Sequence, residues 1–270
     1  MNLKPLQASG QISDQTSDQA SGLPAQHASK TIAVVLHQAG SSPGRVGQWL
    51  ESQGYQLDIR KPPLGDPLPI DLTHYAGAVV FGGPMSANDD DVYVHDEINW
   101  CGHCLKQEIP FLGICLGAQM LVRALGGSVT AHPEEHAEIG YYPLHPTEAG
   151  NSLLPDWPGM IYQWHREGFE LPTGGTLLAT ADLFREQAFQ VGPSAFGVQF
   201  HTELTEAMMR RWLVRGRDRL ELPSAQQRHA HIEGRMMYDG LTRDWLGRFL
   251  TVWLASDTRG NAEIQQHRTA

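Results

Sequence analysis

The sequence has few cysteines, no long apolar run and no secretion signal. Three cysteines in 270 residues are too few for a disulfide-rich scaffold, and the odd number favours reduced thiols. No segment approaches the ~18 consecutive apolar residues that a membrane-spanning helix needs. The N-terminus also lacks the basic-then-apolar pattern of a signal peptide. We therefore expect a cytoplasmic protein with no membrane contact.

Basic residues are also under-represented. Asp and Glu outnumber Lys and Arg by 30 to 20, which gives a formal net charge of −10. A protein that binds nucleic acid usually presents a basic face, so we expect no nucleic acid partner. The 28 glycines and 17 prolines are too few and too aperiodic for a collagen-like or low-complexity chain. What remains is a globular protein long enough to bury a sizeable core.

The two ends of the chain differ in composition from its middle. Residues 1–29 are dominated by Gln, Ser, Ala and Asp, and cannot bury enough apolar surface to offset the entropy lost on ordering. We predict a disordered tail over 1–29, one domain over 30–256, and a flexible tail over 257–270. The domain includes a helical extension from about residue 216, whose apolar stripe at 245–254 is expected to pack on the domain or, alternatively, to bind a partner.

Strand and helix patterns alternate along the domain. This alternation predicts an α/β fold, with an open, mostly parallel sheet that carries helices on both faces, as in flavodoxin-like proteins. The residues between 128 and 199 are richer in short strands than the rest. The predicted strands are 31–36, 56–60, 76–81, 110–115, 128–131, 140–144, 160–164, 177–180, 187–191 and 195–200, and the better-defined helices are 92–107 and 116–125.

A cysteine stands where a buried strand meets a helix. Cys115 has Gly113 two residues before it and Gly117 two residues after it, which is the spacing of a nucleophile elbow. A sharp strand-to-helix turn requires flanking positions without Cβ atoms, and the helix N-terminus favours a thiolate. The first-turn N–H of Leu116 then points to where an oxyanion would form. A buried structural cysteine between two packing glycines is the alternative.

Two other segments supply groups that a thiol nucleophile would need. Gly82-Gly83-Pro84 ends a neighbouring buried strand, so the Gly83 N–H is the natural second oxyanion donor, although a plain turn is the alternative. A further apolar strand leads into His201, with Glu203 two residues later. If the extended backbone continues, both side chains lie on one face, and Glu203 can orient the imidazole that activates the thiol.

At these residues the sequence resembles the class I, triad-type glutamine amidotransferases. It is most similar to stand-alone domains like the glutaminase part of GMP synthase, and the resemblance covers roughly residues 31–213. One departure is Thr202, which stands where the family usually has proline, and we expect it to have little effect. The motif blocks occur in the family's order: Gly82-Gly83-Pro84, then Gly113-Ile114-Cys115-Leu116-Gly117-Ala118-Gln119, then Gln199-Phe200-His201-Thr202-Glu203.

The resemblance assigns a role to each of these residues. It implies that Cys115 is the nucleophile, His201 the base and Glu203 the orienting acid. Gly83 and Leu116 would supply the oxyanion hole. Gln119 would contact glutamine, and the segment 162–169 resembles a family segment near the glutamine pocket, which makes Trp164 and His165 candidates for substrate contact.

The implied reaction is hydrolysis of the glutamine side-chain amide through a γ-glutamyl thioester on Cys115, without a metal or cofactor. The chain shows no phosphate-binding loop and is too short to carry an acceptor module, so we expect the ammonia acceptor on a partner protein. Two alternatives remain open. One is a γ-glutamyl hydrolase or peptidase on the same scaffold, and the other is a non-catalytic regulatory subunit.

A second cysteine motif competes with this interpretation. Cys101-Gly102-His103-Cys104 matches the C-x-x-C motif of disulfide oxidoreductases, in which the motif begins a helix directly after a strand. Here the preceding residues are acidic and helix-like, so both cysteines are expected in mid-helix facing the sheet. A redox role is therefore disfavoured, and zinc binding with His103 is disfavoured because no second ligand pair has matching spacing.

Overall fold

The chain folds as a layered α/β structure, in a computed structural model that describes residues 30–257 and 259. The tails predicted at 1–29 and 257–270 lie outside the described residues, apart from Asp257 and Arg259. The strands are β1 Thr31–Val35, β2 Gln56–Arg60, β3 Tyr75–Val80, β4 Phe111–Ile114, β5 Val129–Ala131, β6 Glu138–Pro143, β7 His145–Pro146, β8 Met160–His165, β9 Glu167–Phe169, β10 Gly175–Thr180, β11 Glu186–Val191 and β12 Ala195–Val198. The α-helices are α1 Gly44–Ser52, α2 Val92–Lys106, α3 Leu116–Ala124, α4 Glu148–Leu153, α5 Glu206–Arg215 and α6 Arg228–Ala255, and short 3-10 helices lie at Pro62–Leu64 and Arg217–Glu221.

The central sheet has eight strands in the order β2-β1-β3-β4-β12-β11-β10-β7. The first five pair in parallel, and the last three join antiparallel. The carboxyl ends of β1, β3, β4 and β12 therefore meet at one edge, which is where open α/β sheets place their sites. The predicted fold class, an open and mostly parallel sheet with helices on both faces, is confirmed.

Both faces of the sheet are covered, which explains the uninterrupted apolar strands. In β1, Ile32 and Val34 belong to the core beneath α1 and α6, whereas Ala33 and Val35 belong to the opposite core beneath α2 and α3. Because the side-chain period of a strand is two, every residue of a doubly covered strand must be apolar. The parallel half of the sheet was predictable for this reason.

Helix α6 is an integral part of the fold. Trp245, Phe249 and Trp253 are fully buried in the core that α6 shares with the sheet, as the apolar stripe predicted. The two buried tryptophans identify the face of α6 that meets the sheet. Within the described residues, no helix combines the length and the apolar character needed to cross a bilayer.

A separate two-stranded sheet lies beside the main sheet. Strands β6 and β8 pair antiparallel, and a third apolar cluster joins them to α5. Sequence patterns missed the short elements β7, β9 and α4. They also extended the last strand too far, since β12 ends at Val198 and not at Phe200. The predicted extended backbone at 201–203 is replaced by a bend.

Candidate active site

Cys115 occupies a strained turn between β4 and α3. Its φ is +51° and its ψ −107°, a combination that residues with a side chain rarely adopt. A Cβ at Gly113 would stand 2.5 Å from the carbonyl oxygen of Gly117, and one at Gly117 would stand 2.1 Å from that of Val80. Both glycines are therefore required by close backbone contacts, as the elbow spacing predicts.

The Cys115 sulfur is surrounded by groups with positive partial charge. Helix α3 begins at the next residue, so its N-terminal dipole points at the thiol. The Nε2 amide of Gln199 donates a hydrogen bond to Sγ at 3.6 Å. Cys115 is only 6% exposed, yet it borders two cavities. The sulfur is thus held in a site that favours negative charge and is open to a small ligand.

His201 and Glu203 form a buried pair beside this sulfur. The Nδ1 of His201 donates to Oε1 of Glu203 at 2.7 Å, and the ring and Cys115 both border Gly82, since a Cβ there would stand 2.8 Å from Cε1 of His201 and 3.4 Å from Cβ of Cys115. Burial alone would lower the pKa of His201, but the Glu203 carboxylate, followed by the Cys115 sulfur, raises it to about 10. The bend at Thr202 thus brings the two side chains together even though the strand has ended.

Gly82 and Gly83 close the site from the end of β3. A Cβ at Gly82 would lie 2.8 Å from Cε1 of His201, so only glycine lets the imidazole approach. The carbonyl of Gly82 accepts a hydrogen bond from Nδ1 of His37 at 3.1 Å, and Nε2 of His37 contacts Glu97 at 2.7 Å. This buried pair fixes the Gly-Gly turn, and sequence analysis missed it because its members are 60 residues apart.

The candidate oxyanion donors border a small pocket next to the sulfur. Gly83 and Leu116 line this pocket together with Cys115. The Cys115 N–H is already bound to the carbonyl of Val198 at 2.8 Å. Leu116, in the first helical turn, has no i−4 carbonyl within the helix to bind.

Gln119 lies in the same pocket and is held in a chain of amides. Its Nε2 donates to the carbonyl of Glu167 at 2.8 Å and to Oε1 of Gln199 at 3.2 Å. Gln199 belongs to the third motif block, but sequence analysis assigns it no role. The signal for it was present, since a glutamine at the end of a buried strand must find polar partners. Together Gln119 and Gln199 link the pocket wall to the sulfur.

Trp164 and His165 differ in their surroundings. Trp164 is partly exposed and lines both cavities at Cys115. His165 is buried, with Nδ1 bound to the carbonyl of Glu167 at 2.9 Å and Nε2 to Glu138 at 2.9 Å. Both ring nitrogens of His165 are therefore hydrogen-bonded within the protein, while the residue also lines the small pocket beside Cys115, so its contact with substrate stays a prediction. The ring also positions the Glu167 carbonyl that holds Gln119.

The larger cavity has a volume of about 200 Å³ and extends from Cys115 toward α5. His201 and Glu203 line this cavity but not the small pocket, whereas Leu116 and Gln119 line only the small pocket. The imidazole therefore lies on the larger-cavity side of the sulfur and Leu116 and Gln119 lie on the other side, while Gly83 borders both cavities.

The C-x-x-C motif lies in the interior of α2, as expected. Cys101 and Cys104 are fully buried, and burial raises the pKa of both thiols. His103 bonds to the carbonyl of Ile70. In the part of the chain that the structure describes, no three His, Cys, Asp or Glu side chains are grouped closely enough to hold a metal ion. These positions favour neither the redox nor the zinc interpretation.

Comparisons with known proteins agree with this geometry. A curated glutamine amidotransferase-like protein of Salmonella typhimurium, YfeJ, is 32% identical over 185 residues, which cover 64% of this chain and 76% of that protein. A glutamine-hydrolysing GMP synthase of Cytophaga hutchinsonii is 27% identical over 143 residues, which cover 52% of this chain but only 27% of the synthase. The chain therefore spans about a quarter of the synthase.

Solved structures and the family model lead to the same assignment. A glutamine amidotransferase from Methylobacillus flagellatus superposes with a TM-score of 0.78 at 26% identity, covering 84% of this chain and 95% of that one. The model of the class I glutamine amidotransferases matches residues 46–215, more than half of the chain. The cysteine at its strained turn thus stands in a known structural family, and the chain belongs to the class I glutamine amidotransferases.

Proposed function

We propose that this protein hydrolyses the side-chain amide of glutamine through a γ-glutamyl thioester on Cys115. The observation that carries the proposal is the arrangement of Cys115, His201 and Glu203, with the sulfur at a strained turn that faces a cavity. A nucleophile, a base and an orienting acid are the parts that acyl transfer through a thiol requires. An intact set of three also argues against a purely regulatory subunit.

The steps follow from where each group lies. The Cys115 thiolate attacks the γ-carbonyl carbon, and the backbone N–H groups of Gly83 and Leu116 stabilise the oxyanion. The C–N bond then breaks while His201 donates a proton to the departing ammonia. Water, deprotonated by His201, attacks the thioester and releases glutamate and the thiolate. Glu203 keeps the imidazole oriented throughout, and no step requires a metal or cofactor.

The small pocket is the proposed binding place of the γ-glutamyl group. Gln119 and Trp164 line it, and the amide of Gln119 is fixed by the Glu167 carbonyl. A fixed amide orients a polar substrate with little loss of side-chain entropy. The similarity to GMP synthase supports an ammonia acceptor on a partner protein. A reducing compartment such as the cytoplasm would keep Cys115 as a thiol.

Replacement of the nucleophile tests the proposal. Cys115→Ala is expected to reduce glutamine turnover, measured as ammonia release, by at least about 1,000-fold, since no other group can form the thioester. Cys101→Ala, which removes a thiol that faces the core, is the control and should keep its activity. Circular dichroism would verify that both variants fold. Unchanged turnover in Cys115→Ala would refute the mechanism.

A further inference from the structure

Three arginines converge on the larger cavity beside the nucleophile. Arg211 and Arg215 on α5, and Arg219 in the following 3-10 helix, line it together with Cys115 and His201. The Nη1 atoms of Arg211 and Arg215 both lie 3.7 Å from the point where a Cβ on Gly40 would stand. Two guanidinium groups therefore meet at one wall of the cavity.

These arginines lack acidic partners. Arg211 donates to the carbonyl of Gly40, and Arg219 donates to that of Pro84 at 3.4 Å. Across the described residues, none of the three forms an ion pair with Asp or Glu, whereas Arg210 on the same helix pairs with Glu206 at 2.7 Å. In a chain with a net charge of −10, unpaired arginines at a single cavity indicate a site for an anion.

Arg219 lines both the larger cavity and the small pocket. It is partly buried, and its pKa is lowered by burial and by the nearby positive charge of Arg166. A partly buried cation is stabilised by an anion that contacts it. Planar guanidinium groups also match the two oxygens of a carboxylate.

The position of His201 identifies which part of a substrate would enter this cavity. Under the proposed function, His201 protonates the departing nitrogen, so the amine leaves on the side of the sulfur that His201 occupies. That side is the larger cavity. Ammonia is a small neutral group, and it needs neither a cavity of about 200 Å³ nor three cations.

We propose that Arg211, Arg215 and Arg219 bind a carboxylate on the amine portion of a substituted γ-glutamyl amide, so that the site accepts γ-glutamyl amino acids. The inference rests on the proposed function for the bond that is cleaved. Cys115 forms the thioester, the C–N bond breaks, and His201 delivers a proton to the amino acid nitrogen. Water then releases glutamate, so one γ-glutamyl amino acid and one water yield glutamate and one amino acid.

A matched pair of ligands tests the subsite without catalysis. γ-Glutamyl-alanine and γ-glutamyl-ethylamide differ only by the carboxylate on the amine portion. Calorimetry on full-length Cys115→Ala should give at least tenfold tighter binding of γ-glutamyl-alanine. Adding Arg215→Gln, or Arg215→Gln with Arg219→Gln, should remove that preference, whereas adding Arg210→Gln, whose side chain lies outside the cavity, should retain it. Equal affinity for the two ligands in Cys115→Ala would overturn the proposal.

Turnover by the unmodified protein separates the two hypotheses. Equal cleavage of both amides, with no preference in binding, would overturn the subsite and leave the proposed function standing. Preferred binding of γ-glutamyl-alanine without cleavage of either amide or of glutamine would support the subsite and refute the proposed function. Inorganic phosphate is the third ligand. If phosphate binds the Arg215 site while the two amides bind equally, the anion is a free ion and the proposal fails.

Discussion

At the scale of single residues, the environment of His201 predicts how the stability of the fold depends on pH. Its ring lies between the Glu203 carboxylate and the Cys115 sulfur, and its pKa is raised from 6.5 to about 10. Because the folded-state pKa exceeds the unfolded-state value, the protonated ring stabilises the fold fully below about pH 6.5. This contribution is lost as the pH rises through about 10.

The same environment predicts how two variants shift this pKa. Glu203→Gln removes the largest single upward contribution, and Cys115→Ala removes the contributions of the sulfur, while burial remains, so the pKa of His201 should fall in both variants. The titration of the His201 ring by NMR measures both shifts. Glu206→Gln, an exposed change on α5, is the control and should leave the titration unchanged. A His201 that titrates near 6.5 in the unmodified protein would contradict the assigned pair.

Gly117 tests whether the strained turn depends on its glycines. In Gly117→Ala the new Cβ would stand 2.1 Å from the backbone oxygen of Val80, which cannot rotate away. We expect a loss of about 3 kcal/mol or more in the free energy of unfolding, at the upper end of overpacking effects. Urea denaturation measures it. Gly159→Ala, where no atom lies within 4 Å of the new Cβ, should change stability little. Equal stabilities in the two variants would show that the turn tolerates a side chain.

The sequence predicts some residues of the candidate site and does not predict others. Cys115, Gly113 and Gly117 are neighbours along the chain, so their spacing alone indicates the turn that the structure contains. The arginine cluster is different, because Arg211 meets the Gly40 loop 171 residues away. An arginine on an amphipathic helix is usually a solvated charge, and only the fold shows which cavity it lines.

At the scale of elements, the length of a strand determined whether its sequence pattern could predict it. Strands of the parallel half were identified within about two residues because both faces are buried and the apolar runs are continuous. Strand β9 has three residues and β7 has two, which is too short for any periodic pattern. Strand β9 nevertheless carries the Glu167 carbonyl that holds Gln119. The small pocket thus depends on an element that the sequence did not reveal.

Helix α6 contains two glycines whose substitution should have opposite effects. A Cβ at Gly234 would stand 2.4 Å from the Tyr141 ring, whereas one at Gly240 would meet no atom within 4 Å. Gly234→Ala should lower the free energy of unfolding by about 1–3 kcal/mol through overpacking. Gly240→Ala should raise it by up to about 1 kcal/mol, because alanine favours a helix interior. Thermal unfolding compares the two. A stabilised Gly234→Ala would mean that α6 does not pack on β6 as described.

At the scale of the whole molecule, the core reaches beyond the segment that the family model matches. That model ends at residue 215, yet Phe249 lies in the core beneath the sheet. Its ring stacks on Trp245 at 4.8 Å and meets Phe196 of β12 edge-on at 5.5 Å. Since β12 leads into His201, the packing of α6 supports the strand that carries the candidate base.

This packing predicts that α6 and the sheet unfold together. Phe249→Ala should cost about 3–5 kcal/mol, because it leaves a cavity between α6 and β12. Unfolding followed by tryptophan fluorescence and by far-ultraviolet circular dichroism should remain coincident, with both midpoints lowered equally. Leu241→Ala, an exposed position on the same helix, is the control and should leave both midpoints unchanged. Two separate transitions would instead mean that α6 forms a unit of its own, so that losing it would leave the Cys115–His201 geometry intact.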